Sequence, residues 1–551
     1  MSTAPARETR PGRLRALAVL CFVLVAMASV APIRSYDAWW HLATGRWIVE
    51  QREIPERDPF GLASDPVPWH NGEWLFQVLL WLAYRAGGEP GLSILRALAV
   101  AALFTWLLLR TSRETTLCWS VLLCAIAFAG ADARLGVRPE IAGVVGVAVA
   151  TRLLLEPPSR RRIAAVGLTT LLLVNLHPSA LLIPAIAGLV AAGRVAAGER
   201  DRRALAMLGA SIAVPAAALF VTPHGLDGIL APIRLARIVS SGAFVNAEWL
   251  PSRPSQFPLL YLAIAGGLAA LAWRAARPRP ERHELPSVLP RLLLFALFSL
   301  LAIRYVRNHG IFFVTLPLLV AEVLPRLDAA AVRIAALAAA AIALVTVPLQ
   351  RGIGLGADPA RFPVSAVRQL ETSGLRGNLY NPDQLGGYLI WWSYPERRVL
   401  TDGRNELYLG FIERFARART DSRLWRELFR EHDLTLAVEE YREGTTRVID
   451  AATGRGIDVP PARVYFPEKE WALIGFDDVA LVFARRDAFP ESRLEALEYT
   501  ALQPWIPAVD ASSAAALDRA KREVARARRE GVEGWRLESM ERAVKRAGPR
   551  V

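Results

Sequence analysis

Apolar runs of about 17–20 residues, the length that crosses a bilayer's hydrocarbon core, recur along this chain and stop near residue 350. They fall at 14–33, 92–110, 116–131, 139–155, 162–176, 178–194, 204–222, 258–274, 288–303, 309–325 and 330–349. Such repetition predicts a multi-span α-helical membrane protein with about eleven crossings. Hydrophobic residues make up 53% of the 551-residue chain, a share that a water-soluble protein of this size rarely reaches. The run 74–86, "WLFQVLLWLAYRA", is short for a span and reads as an interfacial or re-entrant helix, or a short twelfth crossing. The first run ends near "ASVA", like a cleavable signal. It reads as a retained helix, because the chain beyond it is itself multi-span.

The net charge is +14, almost all of it from arginine; the lysines are Lys469, Lys521 and Lys545. The arginines gather in short clusters between apolar runs, so they report topology rather than nucleic-acid binding. With the N-terminal Arg7, Arg10, Arg13 and Arg15 in the cytoplasm, alternate loops hold Arg110 and Arg113; Arg160–Arg162; Arg194, Arg200, Arg202 and Arg203; Arg274, Arg277, Arg279 and Arg282; and Arg326 and Arg333. This positive-inside pattern places everything after residue 350 outside the cytoplasm. Arginine-rich, lysine-poor usage points to a GC-rich bacterial genome and hence to the inner membrane. Cys21, Cys118 and Cys124 all lie in apolar runs and offer neither a disulfide framework nor a CxxC metal site.

This topology sorts the polar residues. His41, His70, His177, His224 and His309 fall on the outer side with Asp37, Asp58, Glu73, Arg138, Glu140, Asn175, Glu248, Arg304, Arg307 and Asn308. His283 is predicted cytoplasmic and His432 lies in the tail. Ionisable groups at membrane depth are costly and mark a site, although span ends facing water also tolerate them. The stretch "SYDAWWHL" (35–42) opens a predicted surface helix over 36–50, with Asp37 and His41 on one face and Trp39, Trp40 and Trp47 at headgroup level. "IPERDPF" (54–60) and "PWHNGEW" (68–74) follow and add Asp58, His70 and Glu73. A purely interfacial anchor accounts for the tryptophans but not for Asp37, Asp58 and His70 together.

The residues "DAWWHLATG" (37–45) and "PERDPF" (55–60) carry a resemblance, supported in order by "VRPE" (137–140), "VNLHPS" (174–179), "TPHG" (222–225), "EWLPSRP" (248–254), "RNHG" (307–310), "GGYLIW" (386–391) and "DGRNELY" (402–408). The chain resembles the GT-C superfamily of membrane glycosyltransferases, closest to its bacterial mannosyltransferase-like members. The resemblance covers residues 14 to about 410. It implies inverting transfer of a sugar from a polyprenyl-phosphate donor to an extracytoplasmic acceptor. A carboxylate must then deprotonate the acceptor, and Asp37 and Asp58 are the catalytic candidates. The lipid-phosphate leaving group needs cationic donors: Arg138, Arg304 and Arg307 are the candidates. His41, His70, Glu73, Glu140 and His177 complete the substrate-binding set. The partners implied are a polyprenyl-phosphate-linked sugar and membrane lipid. A divalent metal is an open cofactor: the first loop lacks a DxD or ExD pair, and near "ADARLGVRPE" the acids are Asp132 and Glu140.

These readings divide the chain into a transmembrane domain over 1–350 with its first outer loop at 34–91, an α/β extracytoplasmic domain over 351–500, and a charged helical tail over 501–551. In the second of these, 363–377 reads as a helix ending at glycine, "NLYN" as a strand, "GGYLIWW" as a turn into an apolar segment, "RRVLTDGR" as a strand, "SRLWRELFREHD" as a helix, "LTLAVEEY" as a strand and 471–486 as a hairpin. Asp402, Arg404 and Glu406 read equally as site residues or as surface charges at a turn. A non-catalytic membrane scaffold and a transporter are the other function classes. A transporter would place polar groups at mid-membrane in repeated halves, and neither feature is present in the sequence.

Overall fold

The computed structural model describes residues 11–112, 117–240, 246–276, 285–325, 329–449 and 454–547. Arg7, Arg10, Arg113, Arg277, Arg279, Arg282, His283 and Arg326 lie outside the described residues. The chain forms two compact units. The first comprises Met1–Ser35, Thr44–Ile54 and His70–Gly356, and the second Tyr36–Ala43, Pro55–Trp69 and Ala357–Val551. Parts of the first predicted loop therefore group with the C-terminal region.

The first unit is built of helices, and each of the eleven apolar runs coincides largely with one. Among the described residues, six helices are long and apolar enough to cross a membrane: Trp74–Thr111, Leu117–Arg134, Pro178–Ala196, Pro258–Ala276, Val306–Val323 and Ala330–Arg351. Every residue of the helix His309–Val320 is buried. Outer helices instead expose apolar side chains, among them Leu337 at 71%, Leu349 at 77% and Leu262 at 69%. Apolar faces of this size are unfavourable in water and match a lipid solvent. The chain is a multi-pass membrane protein.

The runs 74–86 and 92–110 join into one helix, Trp74–Thr111, broken at Gly88. Gly88 has φ +60° and ψ −160°, a conformation that glycine adopts readily, and Pro90 follows. A further helix, Gly225–Ser240, matches no predicted span; its Pro232 and scattered charges hide its periodicity.

The second unit centres on a four-stranded sheet in the spatial order Asn378–Tyr380, Leu434–Glu440, Ala480–Arg485, Trp471–Phe476. The first pair is parallel and the others antiparallel. Leu436, Val438, Leu473, Val482 and Phe483 are fully or almost fully buried. The helix Val364–Ser373 ends on the left-handed Gly374, and Asp421 caps Ser422–Glu431 by accepting the Arg423 and Leu424 amides at 2.8 and 3.2 Å. The tail contributes two helices, Ala514–Arg529 and Trp535–Ala547.

Two expectations fail here. The segment 386–392 is helical, within Asp383–Ser393, and a side-chain carbon on Gly386 would stand 2.2 Å from the Thr401 carbonyl oxygen. The glycine pair is there for close packing rather than for a turn. "RRVLTDGR" is no strand: Val399 makes only single bridges, to Gly61 and to Leu379.

The helix Asp37–Gln51 forms where predicted, but Trp39 and Trp40 are not headgroup anchors. Trp39 is fully buried, edge-on to Phe362 at 5.4 Å and Tyr388 at 4.9 Å, and Trp40 is 9% exposed. They belong to the core of the second unit. Replacing a buried aromatic by alanine costs about 3–5 kcal/mol. Trp39→Ala should therefore lower the denaturation midpoint of the purified protein markedly, followed by circular dichroism. An unchanged midpoint would return Trp39 to the surface.

Candidate functional site

Two clusters of charged side chains gather functional candidates, one in each unit. In the second unit the segment 55–69 runs beside the segment 399–407. Leu62 and Ala63 donate their amides to the Val399 and Leu400 carbonyls at 2.9 and 3.1 Å, and Asp65 donates to Leu407 at 2.7 Å. This backbone pairing holds Asp58 near Asp402, Arg404 and Tyr408.

Arg404 is 1% exposed and Asp402 is fully buried. Arg404 Nη2 donates to Asp58 Oδ1 at 2.8 Å and to Asp402 Oδ2 at 2.5 Å, while its Nε donates to Asp402 Oδ1 at 2.8 Å. Asp58 further accepts the Phe60 amide on Oδ1 and the Gly61 amide on Oδ2, both at 3.0 Å. The Tyr408 hydroxyl stands between the two acids, 2.7 Å from Asp402 Oδ2 and 3.0 Å from Asp58 Oδ2. The guanidinium carbon lies 4.6 Å from the Trp69 ring centroid, 5.4 Å from Phe60 and 5.6 Å from Trp40. Burial raises the pKa of Asp58, but the Arg404 charge and these donors outweigh it and hold the carboxyl below its usual range. A carboxylate so fully engaged is a poor proton acceptor, and Asp58 acts here as an anchor for Arg404.

Asp37 opens its helix half-buried, with Oδ1 accepting Trp40 Nε1 at 3.2 Å. A methyl group on Gly403 would stand 3.4 Å from that oxygen, so Asp37 lies over the Asp402–Arg404 turn. Glu406 is close by. Burial first, then the charges of Asp402 and Asp37, raise its pKa to about 6 despite Arg404. A carboxyl titrating there is suited to exchanging a proton near neutral pH. The turn 402–406 is therefore an interior charged cluster, not a set of surface charges.

In the first unit the loops 132–139, 246–249 and 305–308 converge. Asp132 pins the first of them by accepting Arg96 Nη2 at 2.8 Å, with Arg351 also bound to it. Arg134 donates to Glu140 at 2.8 Å and as a fork to both Glu248 oxygens at 2.9 and 3.0 Å. Arg138 pairs with Glu248 at 2.7 Å and Glu140 at 2.6 Å. Burial opposes ionisation of Glu248, yet the two arginines pull its pKa well below the glutamate range. Arg307 lies over the Trp249 ring at 4.5 Å and within electrostatic reach of both glutamates. Three guanidinium groups thus face two carboxylates. Burial, then the charges of Arg307, Arg138 and Arg134, push the pKa of His177 down to about 3, so its ring stays neutral. His177 Nδ1 accepts the Ser179 amide at 3.2 Å, and its ring fits only because residue 143 is glycine. An open cleft of about 540 Å³ bordered by Glu248, Arg253, Gln256 and Phe257 lies beside this cluster.

Of the sequence candidates, Arg138, Glu140, His177 and Arg307 come together in the first unit, and Asp37 and Asp58 in the second. His41 is buried, with its ring against Trp40. His70 instead meets His224, ring centroids 5.6 Å apart. Glu73 sits at the N-terminus of Trp74–Thr111 without capping it through its side chain. Arg304 is exposed, over Tyr305. The sequence reading missed Arg134 and Tyr408. Arg134 lay six residues before Glu140 with nothing to distinguish it from a loop charge.

Among the described residues, no three His, Cys, Asp or Glu side chains are placed to hold a metal ion. Seven donor hydrogens face the four oxygens of Asp58 and Asp402, the Tyr408 hydroxyl sharing its one proton between the two acids.

No protein-family model matches the chain, and no curated protein matches it by sequence. Solved structures do match by shape. The archaeal oligosaccharyltransferase AglB from Archaeoglobus fulgidus, in complex with an inhibitory peptide and a dolichol-phosphate, aligns at a TM-score of 0.57 and 13% identity over 97% of this chain and 85% of that one. The Archaeoglobus fulgidus oligosaccharyltransferase in complex with Zn and sulfate aligns at 0.54 and 13% over 81% and 73%. The mycobacterial arabinofuranosyltransferase AftD aligns at 0.50 and 15% over 87% of this chain and 40% of that one. The chain shares its fold with these oligosaccharyltransferase and arabinofuranosyltransferase structures.

Glu406 makes a pH test available. Its raised pKa means that the folded protein binds this proton more tightly than the unfolded chain does. The associated stability is complete below about 4.5 and is lost as pH rises through about 6. Glu406→Gln keeps the neutral form and should flatten the stability profile of the purified protein across that window. An identical slope in both proteins would show that Glu406 titrates normally.

Proposed function

We propose that this chain transfers a sugar from a polyprenyl-phosphate donor to an acceptor outside the cytoplasm, with inversion at the anomeric carbon. Asp37 takes the proton from the acceptor as that oxygen attacks the anomeric carbon, and the bond from that carbon to the phosphate oxygen breaks. The electron pair leaves with the lipid phosphate, and within the first unit Arg138, Arg134 and Arg307 are the cations suited to such a phosphate. Glu140 and Glu248 orient the first two of these guanidinium groups, and neutral His177 offers hydrogen bonding to the sugar. Asp58 acts through Arg404 as a positioning residue, while His41, His70, Glu73 and Arg304 complete the substrate-binding set. The observation that carries the reading is the cluster of three arginines against two glutamates at the helix ends of a fold shared with a dolichol-phosphate-bound oligosaccharyltransferase.

The proposal includes about eleven crossings of a bacterial inner membrane, a cytoplasmic N-terminus and an extracytoplasmic C-terminal α/β domain. A phosphatase reporter active only outside the cytoplasm, fused after Arg486, should be active. A silent fusion with an active cytoplasmic reporter at the same site would reverse the orientation.

Loss of a general base costs about two to four orders of magnitude in rate. Asp37→Asn should reduce glycan transfer by that factor while the protein accumulates in the membrane at native levels. Undiminished transfer would remove Asp37 from catalysis, and a normal cellular phenotype without any transfer would favour a scaffold.

A further inference from the structure

A zinc-bound neighbour of the same fold poses the question of which cation serves the buried acids of this chain. We infer that Arg404 is that cation: its guanidinium is the permanent counter-charge of Asp58 and Asp402, and the site needs no divalent metal. The inference rests on the reading of the first-loop acids as part of the functional site.

Hydrogen bonding carries the argument. A carboxylate offers about four lone-pair positions, and a metal ligand must leave one of them open at about 2.0–2.6 Å from the ion. Asp58 spends its positions on the Phe60 and Gly61 amides, Arg404 Nη2 and Tyr408. Asp402 spends its own on the Arg404 amide at 3.0 Å, Nε, Nη2 and Tyr408. The one slack point is the Tyr408 hydroxyl, whose single proton serves the two acids in turn.

The surroundings suit a guanidinium better than a hydrated ion. The faces of Trp40, Phe60 and Trp69 surround Arg404. Arginine is the more weakly hydrated cation and stacks on aromatic rings, whereas magnesium or manganese would need oxygen ligands where these rings stand. Arginine also stays charged at every physiological pH. Arg404 Nη1 is buried with no acceptor among the described residues.

The test uses the full chain purified in detergent and reads metal content by elemental mass spectrometry together with thermal melting. The native protein should hold metal well below one ion per chain and melt at the same temperature with EDTA, without it, and with added Mn²⁺ or Zn²⁺. Arg404→Ala leaves two facing carboxylates without a counter-charge. It should melt lower and regain several degrees on addition of Mn²⁺, while Arg404→Lys should melt between the two without responding to metal. Stoichiometric divalent metal in the native protein, removed by EDTA with a fall in melting temperature, would overturn the assignment. So would an Arg404→Ala protein that melts like the native one. If Arg404→Ala does not accumulate, the comparison of native protein with and without EDTA decides by itself. None of these readouts depends on sugar transfer, so their failure leaves the proposed activity to its own test.

Discussion

A buried guanidinium between two buried carboxylates organises the second unit. Taking such charges out of water costs several kcal/mol for each ion, and removing one partner of a buried pair costs about 3–5 kcal/mol. That penalty is offset only by close geometry and complete hydrogen bonding. This explains why Arg404 meets Asp402 through both its side chain and its backbone amide, and why Asp58 is held by two amides of its own loop. The chain segments 55–69 and 399–408 are therefore tied by charge as well as by backbone pairing. Asp37 and Glu406 then stand beside a fixed positive charge, yet burial first, and then the charges of Asp402 and Asp37, still raise Glu406 to the range where a proton can move.

The first unit solves a similar problem beside an apolar environment. Arg96 is buried and distributes its donors over Asp132, the Leu135 carbonyl at 2.6 Å and the Ser29 carbonyl at 2.7 Å. This clamps the loop that presents Arg134 and Arg138. Those two arginines share Glu140 and Glu248, while Arg307, among the described residues, lies over the Trp249 ring within longer-range attraction of both glutamates. A neutral His177 adds hydrogen-bonding capacity without adding charge.

The helical first unit was legible because membrane spans write themselves as long apolar runs, and every run coincides with a helix. The break at Gly88 and the helix Gly225–Ser240 were not, since one joins two runs and the other is too polar to register. Local signals also located the hairpin Trp471–Arg485 and the capped helix Ser422–Glu431, whose turn and cap residues act within a few positions. Trp39 and Trp40 were misread because tryptophan serves both interfaces and cores, and only the distant Phe362 and Tyr388 decide between them. The same holds for the candidate sites. Asp37 and Arg138 stood out by position, whereas the Asp58–Arg404 pairing spans 346 residues and left no local trace.

Under the proposed function the arginine cluster of the first unit receives a lipid phosphate. Native mass spectrometry of the purified protein with a polyprenyl phosphate tests it most directly. One lipid phosphate should bind per chain, retained against a neutral polyprenol and lost when Arg138 and Arg307 are both changed to alanine. Equal binding of polyprenol and polyprenyl phosphate, or full occupancy in the double variant, would contradict it.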